Sequence, residues 1–209
     1  MAAPRAFRGL MLAGSILTGI SLLLLSLLPD APSDPAALAD WVERGSALLM
    51  WSDELLFFAV ICWWAGAWGV FGSPGATRSV RTTIGMTALA LALISLVVVL
   101  LAVGRLVYPV FELELSTESL ALVLSSTFGA LHLAFLGFTV AAVTLSWETR
   151  LGTMGRILGI IAAIVFLSGS FPWLTSTWWN SLVAVVLAAW GGFISLSAEA
   201  SSNEPEGTS

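Results

Sequence analysis

The stretch MWSDELLFFAVICWWAGAWGVF, Met50 to Phe71, places two adjacent carboxylates before one long apolar run. The run from Leu55 to Phe71 is just long enough to cross a bilayer, which takes roughly 17–25 residues as a helix. A charge at the centre of such a helix costs about 2.5–3.5 kcal/mol, whereas each Leu or Phe contributes only about 0.3–0.6 kcal/mol. This balance predicts a span that begins at Leu55. Ser52 then caps the helix, and Asp53 and Glu54 lie in its first turn, where carboxylates favour the helix dipole.

The rest of the chain has the same apolar character. Of its 209 residues, 58% are hydrophobic and only 10% are charged, at a mean hydropathy of +0.96. Soluble domains carry about 25% charged residues. Six segments are long and apolar enough to span a bilayer, and in lipid a helix satisfies the backbone of a single segment. The predicted spans are residues 8–28, 53–71, 84–108, 120–146, 155–171 and 176–197.

These segments predict an all-α fold, a polytopic membrane bundle of six transmembrane helices that forms one domain over residues 1–197. The polar, acidic tail of residues 198–209 is predicted to be disordered. The first loop between spans is the longest one. Its residues 36–50 are predicted to form a short helix that lies along the membrane surface.

The arginines predict how the chain is oriented. Alternating the spans brings six of them to one side, Arg5, Arg8, Arg78, Arg81, Arg150 and Arg156, and leaves a mostly acidic set on the other. The positive-inside rule then puts both termini in the cytoplasm, in a plasma (inner) membrane of the bacterial type. The competing interpretation is a cleaved signal peptide over residues 1–28. The apolar run there exceeds the usual h-region of about 7–15 residues, which favours a retained first helix.

The composition excludes several function classes. The chain has no lysine, so it forms no Schiff base with retinal or pyridoxal phosphate. Its one cysteine, Cys62, has no partner for an intramolecular disulfide or a CxxC pair, and its one histidine, His132, cannot give a haem two histidine ligands. The net charge of −5 argues against a nucleic-acid partner. The sequence predicts no cofactor.

His132 is the polar residue that lies deepest in a predicted span. Ser125 and Thr139 share its helix face, together with Gly129. Ionisable groups inside a membrane are candidates for ligand contact or proton relay. The plainer interpretation is a neutral histidine that is hydrogen-bonded within the bundle. A zinc site is not predicted, because the chain has no HExxH, no CxxC and no second histidine.

The carboxylate pair has a second interpretation. The segment ALLMW before Ser52 is also apolar, which allows Asp53 and Glu54 to lie about one turn inside the membrane. Arg105 lies at a similar depth near the end of the third span. We therefore consider a partly buried ion pair between Arg105 and Asp53 or Glu54, with snorkelling of Arg105 to the head groups as the alternative.

The fifth span carries a packing signal. Gly155, Gly159 and Ala163 recur every fourth residue, and small residues at this spacing let another helix approach closely. We interpret this face as a contact within the bundle or between subunits.

The chain resembles a family of small bacterial integral membrane proteins of unknown function. The resemblance consists of the six spans, the surface helix in the first outer loop and the segment GRILGIIAAIVFLSG, Gly155 to Gly169, and it covers mostly residues 130–172. It implies a six-helix membrane fold. It implies no activity and no functional residues.

Two functions are compatible with the sequence. The first is a non-enzymatic protein, either an accessory or scaffold subunit or a binder of lipid or an apolar ligand. Its expected partners are membrane lipids, other membrane subunits or further copies of the chain. The second is a membrane-embedded enzyme or proton-coupled carrier that uses His132 with Asp53, Glu54 or Arg105. Convergence of these side chains would favour the second.

Overall fold

The computed structural model describes residues 5–32, 34–71, 79–109, 115–147 and 152–200, with side chains up to residue 197. All regular structure in these residues is helical. The six α-helices are α1 (Arg5–Ser26), α2 (Leu38–Phe71), α3 (Val80–Val107), α4 (Thr117–Ser146), α5 (Gly152–Ser168) and α6 (Thr177–Ala200). Within the described ranges, five of them are long and apolar enough to cross a membrane, and α5, with 17 residues, is a shorter apolar helix.

Helix α2 corrects the prediction of a separate helix before the second span. The prediction of a short surface helix over residues 36–50, separate from the span, is wrong. One helix of 34 residues runs from Leu38 to Phe71, after a short 3-10 turn at Pro35–Ala37. Nothing between Met50 and Leu55 breaks a helix, and leaving the hydrocarbon does not require a helix to end. At 1.5 Å per residue α2 is about 51 Å long, well beyond the roughly 30 Å of a hydrocarbon core.

The capping role predicted for Ser52 is therefore also wrong. Ser52 lies inside α2, and its hydroxyl contacts Ser21 of α1. The Oγ atoms of the two residues are 2.8 Å apart, and Ser52 Oγ donates to the carbonyl of Ser21 at 3.0 Å. The side chain that predicted a helix terminus instead joins two helices.

Glycines set the spacing of α1 against α2. A Cβ atom on Gly14 would lie 2.6 Å from the backbone nitrogen of Trp63, and one on Gly66 would meet the backbone of Met11. Because residue numbers rise along α1 as they fall along α2, the two helices are antiparallel. Such close backbone approach is common between helices in lipid, because the hydrophobic effect does not drive helices together there and association depends on packing.

A cluster of rings fills the middle of the bundle. Trp63 of α2 packs against Trp190 of α6 and Phe138 of α4, with ring centroids 6.2 and 6.3 Å apart. Phe166 of α5 lies 6.1 Å from Phe138 and 5.9 Å from Trp190. The indole N–H of Trp190 donates to Ser146 Oγ at 3.0 Å. Four helices thus meet at these four buried rings, which we call the aromatic cluster.

The two ends of the bundle differ in charge. We call the end where α1, α3 and α5 finish the acidic end. Its described charged residues are Asp30, Asp34, Asp40, Glu43, Arg44, Asp53, Glu54, Arg105 and Glu118. The opposite, arginine end has Arg5, Arg8, Arg81 and Arg156. Arg78 and Arg150 lie outside the described residues, as does most of the predicted tail, although α6 continues to Ala200.

Candidate functional site

Asp53 lies in a helix contact near the acidic end. Its side chain is 9% exposed, and it faces Gly104 of α3, where a Cβ atom would lie 3.4 Å from Asp53 Oδ2. Within the described part of the chain, Asp53 Oδ1 has no hydrogen-bond partner. A buried polar atom without a hydrogen-bond partner destabilises the folded protein, which makes Asp53 a candidate functional residue.

Glu54 is exposed and bonds to α3 through a tyrosine. The hydroxyl of Tyr108 donates to Glu54 Oε1 at 2.8 Å. This hydrogen bond, with smaller contributions from burial and from the charges of Glu54 and Asp53, raises the pKa of Tyr108 above its ordinary 10.0.

The predicted ion pair of Arg105 with a carboxylate of α2 is wrong. Among the residues described, no ion pair joins Arg105 to Asp53 or Glu54. The reason is helical geometry. Gly104 and Tyr108 are one turn apart and share the face that meets α2, whereas Arg105 is turned by about 100° from Gly104.

His132 is held by the end of α5. Its Nδ1 lies 2.7 Å from the carbonyl oxygen of Ser170. A carbonyl only accepts, so Nδ1 carries the hydrogen. The ring also packs against Phe171 at 4.7 Å and Trp173 at 6.1 Å between centroids. These contacts are those of a histidine that fixes the loop between α5 and α6.

The hydroxyls predicted to share the face of His132 bond to their own helix. Ser125 Oγ donates to the carbonyl of Leu122 at 3.0 Å, and Thr139 Oγ1 donates to that of Phe135 at 2.8 Å. Across the described ranges, no hydrogen bond or ion pair joins His132 to Asp53, Glu54 or Arg105, and no three His, Cys, Asp or Glu side chains are grouped to hold a metal. The candidate polar residues therefore form separate local contacts.

The small residues of α5 lie against α4. Gly155, Gly159 and Ala163 are all buried. A Cβ atom on Gly159 would meet the side chain of Ser146 and the carbonyl of Ala142. Sequence spacing did not identify the equally tight contact of α3 with α4, where a Cβ atom on Gly137 would lie 2.7 Å from the carbonyl of Ala88.

A cavity of about 170 Å³ opens at the acidic end. Residues of α1, α2, α3, α4 and α6 line it, together with the loops that follow α1 and α5. An engineered apolar cavity of about 150 Å³ takes up benzene, so this one has room for a ring or a short stretch of chain. Its aromatic lining residues are Trp41, Phe128, Phe135 and Trp173, and its polar ones are Ser26, Asp30, Thr127, Thr177 and Asn180.

Internal hydrogen bonds fix the two loops that form the mouth of the cavity. The indole N–H of Trp41 donates to the carbonyl of Pro29 at 2.9 Å. The side chain of Asn180 donates to the carbonyl of Pro172 at 3.1 Å and accepts from Thr175 at 2.6 Å. The walls are thus formed before any ligand arrives, as in most small-molecule sites.

No motif in the sequence pointed to this cavity, because its lining comes from five stretches of the chain that lie far apart in the sequence. Trp64 and Trp68 of α2 do not line this cavity. Those two residues are exposed and line only a small groove of about 40 Å³ against α3. The resemblance to small six-span bacterial membrane proteins stays a prediction. Comparison of the chain with protein-family models, curated proteins and solved structures found no match.

Proposed function

We propose that this chain is a non-enzymatic integral membrane protein that binds a lipid chain or another apolar ligand in the cavity at its acidic end. The cavity carries the proposal. It is lined by five helices, its walls are mostly apolar, and the side chains of Trp41 and Asn180 fix its two loops by hydrogen bonds within the protein. Pockets of this composition bind apolar ligands, with a few polar groups that fix orientation.

The location proposed with this function is a plasma membrane of the bacterial type, with both termini in the cytoplasm. The arginine distribution supports this orientation through the positive-inside rule. The cavity then lies on the outward side, within reach of lipids of the outer leaflet. Reporter fusions after residues 75 and 150 test the orientation, and export of either fusion would contradict it.

A cavity-filling variant tests the binding function. In Leu124→Trp the larger ring would occupy the cavity from α4, whereas Leu122→Trp makes the same change two residues away on an exposed position. For a probe that enters from water, displacing about two buried methylenes, at about 0.8 kcal/mol each, lowers the affinity by more than about ten-fold.

The measurement is native mass spectrometry of the protein in an uncharged maltoside detergent with octanol as the probe. We expect octanol occupancy to fall in Leu124→Trp and to stay unchanged in Leu122→Trp. Both variants must elute as monodisperse protein. Equal octanol occupancy in the two folded variants, or no octanol bound to the unaltered protein, would rule out the cavity as the site.

A second candidate function is a proton-coupled carrier, and Asp53 is the observation that favours it. The carboxyl is buried between α2 and α3, and one oxygen has no partner in the described residues. Ionisable groups in membrane helices often belong to proton pathways. In liposomes, a carrier would show proton flux that Asp53→Asn abolishes and Glu54→Gln leaves intact.

A further inference from the structure

We propose that the cavity selects amphiphiles with a positively charged amine head group, which lies beside Asp30 while the apolar part enters the cavity. This inference rests on the proposed binding function and names its ligand class. Of the described residues that line the cavity, Asp30 is the ionisable one. Within the described residues its carboxylate makes no hydrogen bond or ion pair, whereas the lining side chains Trp41 and Asn180 are already bonded.

Asp30 occupies a suitable position for a head group. It follows Pro29, whose carbonyl accepts the indole N–H of Trp41, so the backbone next to Asp30 is anchored to α2. Asp30 lies in the loop after α1, at the mouth of the cavity, while the apolar walls extend to Phe135 in the middle of α4. A bound amphiphile would therefore have its charge at the mouth and its apolar part inside.

Aromatic rings near the mouth add to the preference for a cation. Trp41, Phe128 and Trp173 line the same cavity, and the rings of Phe128 and Trp173 meet edge to face with centroids 6.2 Å apart. An ammonium group within about 6 Å of an aromatic face is attracted by the ring quadrupole, and quaternary ammonium ligands are commonly recognised in this way. The rings offer nothing comparable to a carboxylate or a phosphate.

Most of the described charges at the acidic end have the same sign as Asp30. The acidic end contains seven carboxylates and two arginines among its described residues. One of those arginines, Arg44, is paired with Asp40 at 2.6 Å. The remaining field concentrates cations and repels anions over roughly a Debye length, about 8 Å at physiological salt.

The head group of the ligand determines selectivity, because the apolar chain of the ligand contributes little to it. A ligand that comes from the membrane exchanges one apolar environment for another, so burial in the cavity gains little hydrophobic free energy relative to lipid. Interactions at Asp30 and the neighbouring rings are available only in the protein. They distinguish amine-headed molecules from neutral or acidic ones with the same chain.

The test compares three probes with one chain length: octyltrimethylammonium, octanol and octanoate. Binding is measured by native mass spectrometry in maltoside for the unaltered protein, Asp30→Asn and the matched control Asp34→Asn. Asp34 belongs to the same loop, accepts from the backbone N–H of Ala36 and does not line the cavity. Asparagine can keep that capping bond.

We expect the unaltered protein to bind the ammonium probe most tightly and octanoate least. Asp30→Asn should lower the affinity for the ammonium probe about three- to ten-fold, as expected for loss of a partly exposed ion pair, and should leave the affinity for octanol unchanged. Asp34→Asn should retain the ammonium preference. Equal binding of the three probes, or an ammonium affinity that Asp30→Asn does not change, would overturn this inference and leave the binding function standing. Failure of all three probes to bind would overturn both.

A second arm distinguishes the source of the amine. The protein is placed in nanodiscs that contain equal amounts of phosphatidylethanolamine and phosphatidylglycerol, and the lipids it retains on release are identified. Enrichment of phosphatidylethanolamine that Asp30→Asn removes supports the inference with a membrane lipid as ligand. No enrichment, with octyltrimethylammonium still bound, supports it with a free amphiphile as ligand.

Discussion

The serine pair between α1 and α2 gives the sharpest test of how α2 is placed. Ser21 Oγ lies 2.8 Å from both the carbonyl oxygen and the Oγ of Ser52, and Ser52 Oγ donates to the carbonyl of Ser21 at 3.0 Å. These are three contacts but only two hydroxyl protons, so two hydrogen bonds form at once. Replacing either serine by alanine removes one of them, and the remaining hydroxyl still has a backbone acceptor.

This count fixes the expected energies. Hydrogen bonds between helices in membranes contribute about 0.6 kcal/mol on average and at most about 1.7 kcal/mol. Ser21→Ala and Ser52→Ala should each lower the free energy of unfolding by about that range. The double variant should lose the sum, with a coupling energy below about 0.5 kcal/mol.

Reversible unfolding of the protein from bicelles by a denaturing detergent, followed by tryptophan fluorescence, measures these differences. Ser46→Ala is the control, since Ser46 is an exposed residue of the same helix. A neutral Ser21→Ala together with a costly Ser52→Ala would indicate that Ser52 caps a separate helix, and our description of α2 would be wrong. A coupling energy above about 1 kcal/mol would refute the proton count.

Two further predictions concern contacts of α3 and of Tyr108, the residue that follows it. Tyr108 is the only tyrosine of the chain, so its ultraviolet titration reports one group. The hydrogen bond to Glu54 raises the pKa of Tyr108 above 10.0. The bond therefore stabilises the fold fully below pH 10, and this stabilisation is lost as the pH rises through the raised pKa. Glu54→Gln should move the titration midpoint down toward 10, and an unchanged midpoint would show that the bond is absent. Gly137→Ala should destabilise the protein by about 1–3 kcal/mol, because its Cβ would lie 2.7 Å from the carbonyl of Ala88. Gly129→Ala, on the same helix but with nothing within 4 Å, should be neutral or stabilising by up to about 1 kcal/mol, and equal effects in detergent unfolding would contradict the packing of α3 on α4.

The sequence predicted helices well because a membrane span is a local signal. Each apolar residue contributes to it independently, and the predicted spans fall within a few residues of the observed helices, except at the start of α2. There the apolar run determined where the membrane was expected to begin but not where the helix begins. Helix termini depend on caps and breakers, and the stretch from Leu38 to Asp53 contains no proline to stop a helix.

The pairing of helices could not be predicted from the same signal. Gly159 and Gly137 both allow close approach, but only the first belongs to a repeated pattern that sequence reasoning can recognise. Arg105 shows a related difficulty, since a similar depth in the membrane says nothing about the direction of a side chain around its helix. The cavity could not be predicted from the sequence, because it exists only where five stretches of the chain come together.

The position of the cavity bears on the choice between binding and transport. Its deepest aromatic lining residue, Phe135, lies 6.5 Å from Phe166, which belongs to the aromatic cluster. The floor of the cavity therefore adjoins the buried rings that join α2, α4, α5 and α6. A ligand could cross to the arginine end only if Trp63 and Trp190 separated, which would expose large buried surfaces and break the bond of Trp190 to Ser146. Entry and exit at the acidic end need no such rearrangement, so the packing of the bundle favours a binder that exchanges its ligand on one side of the membrane.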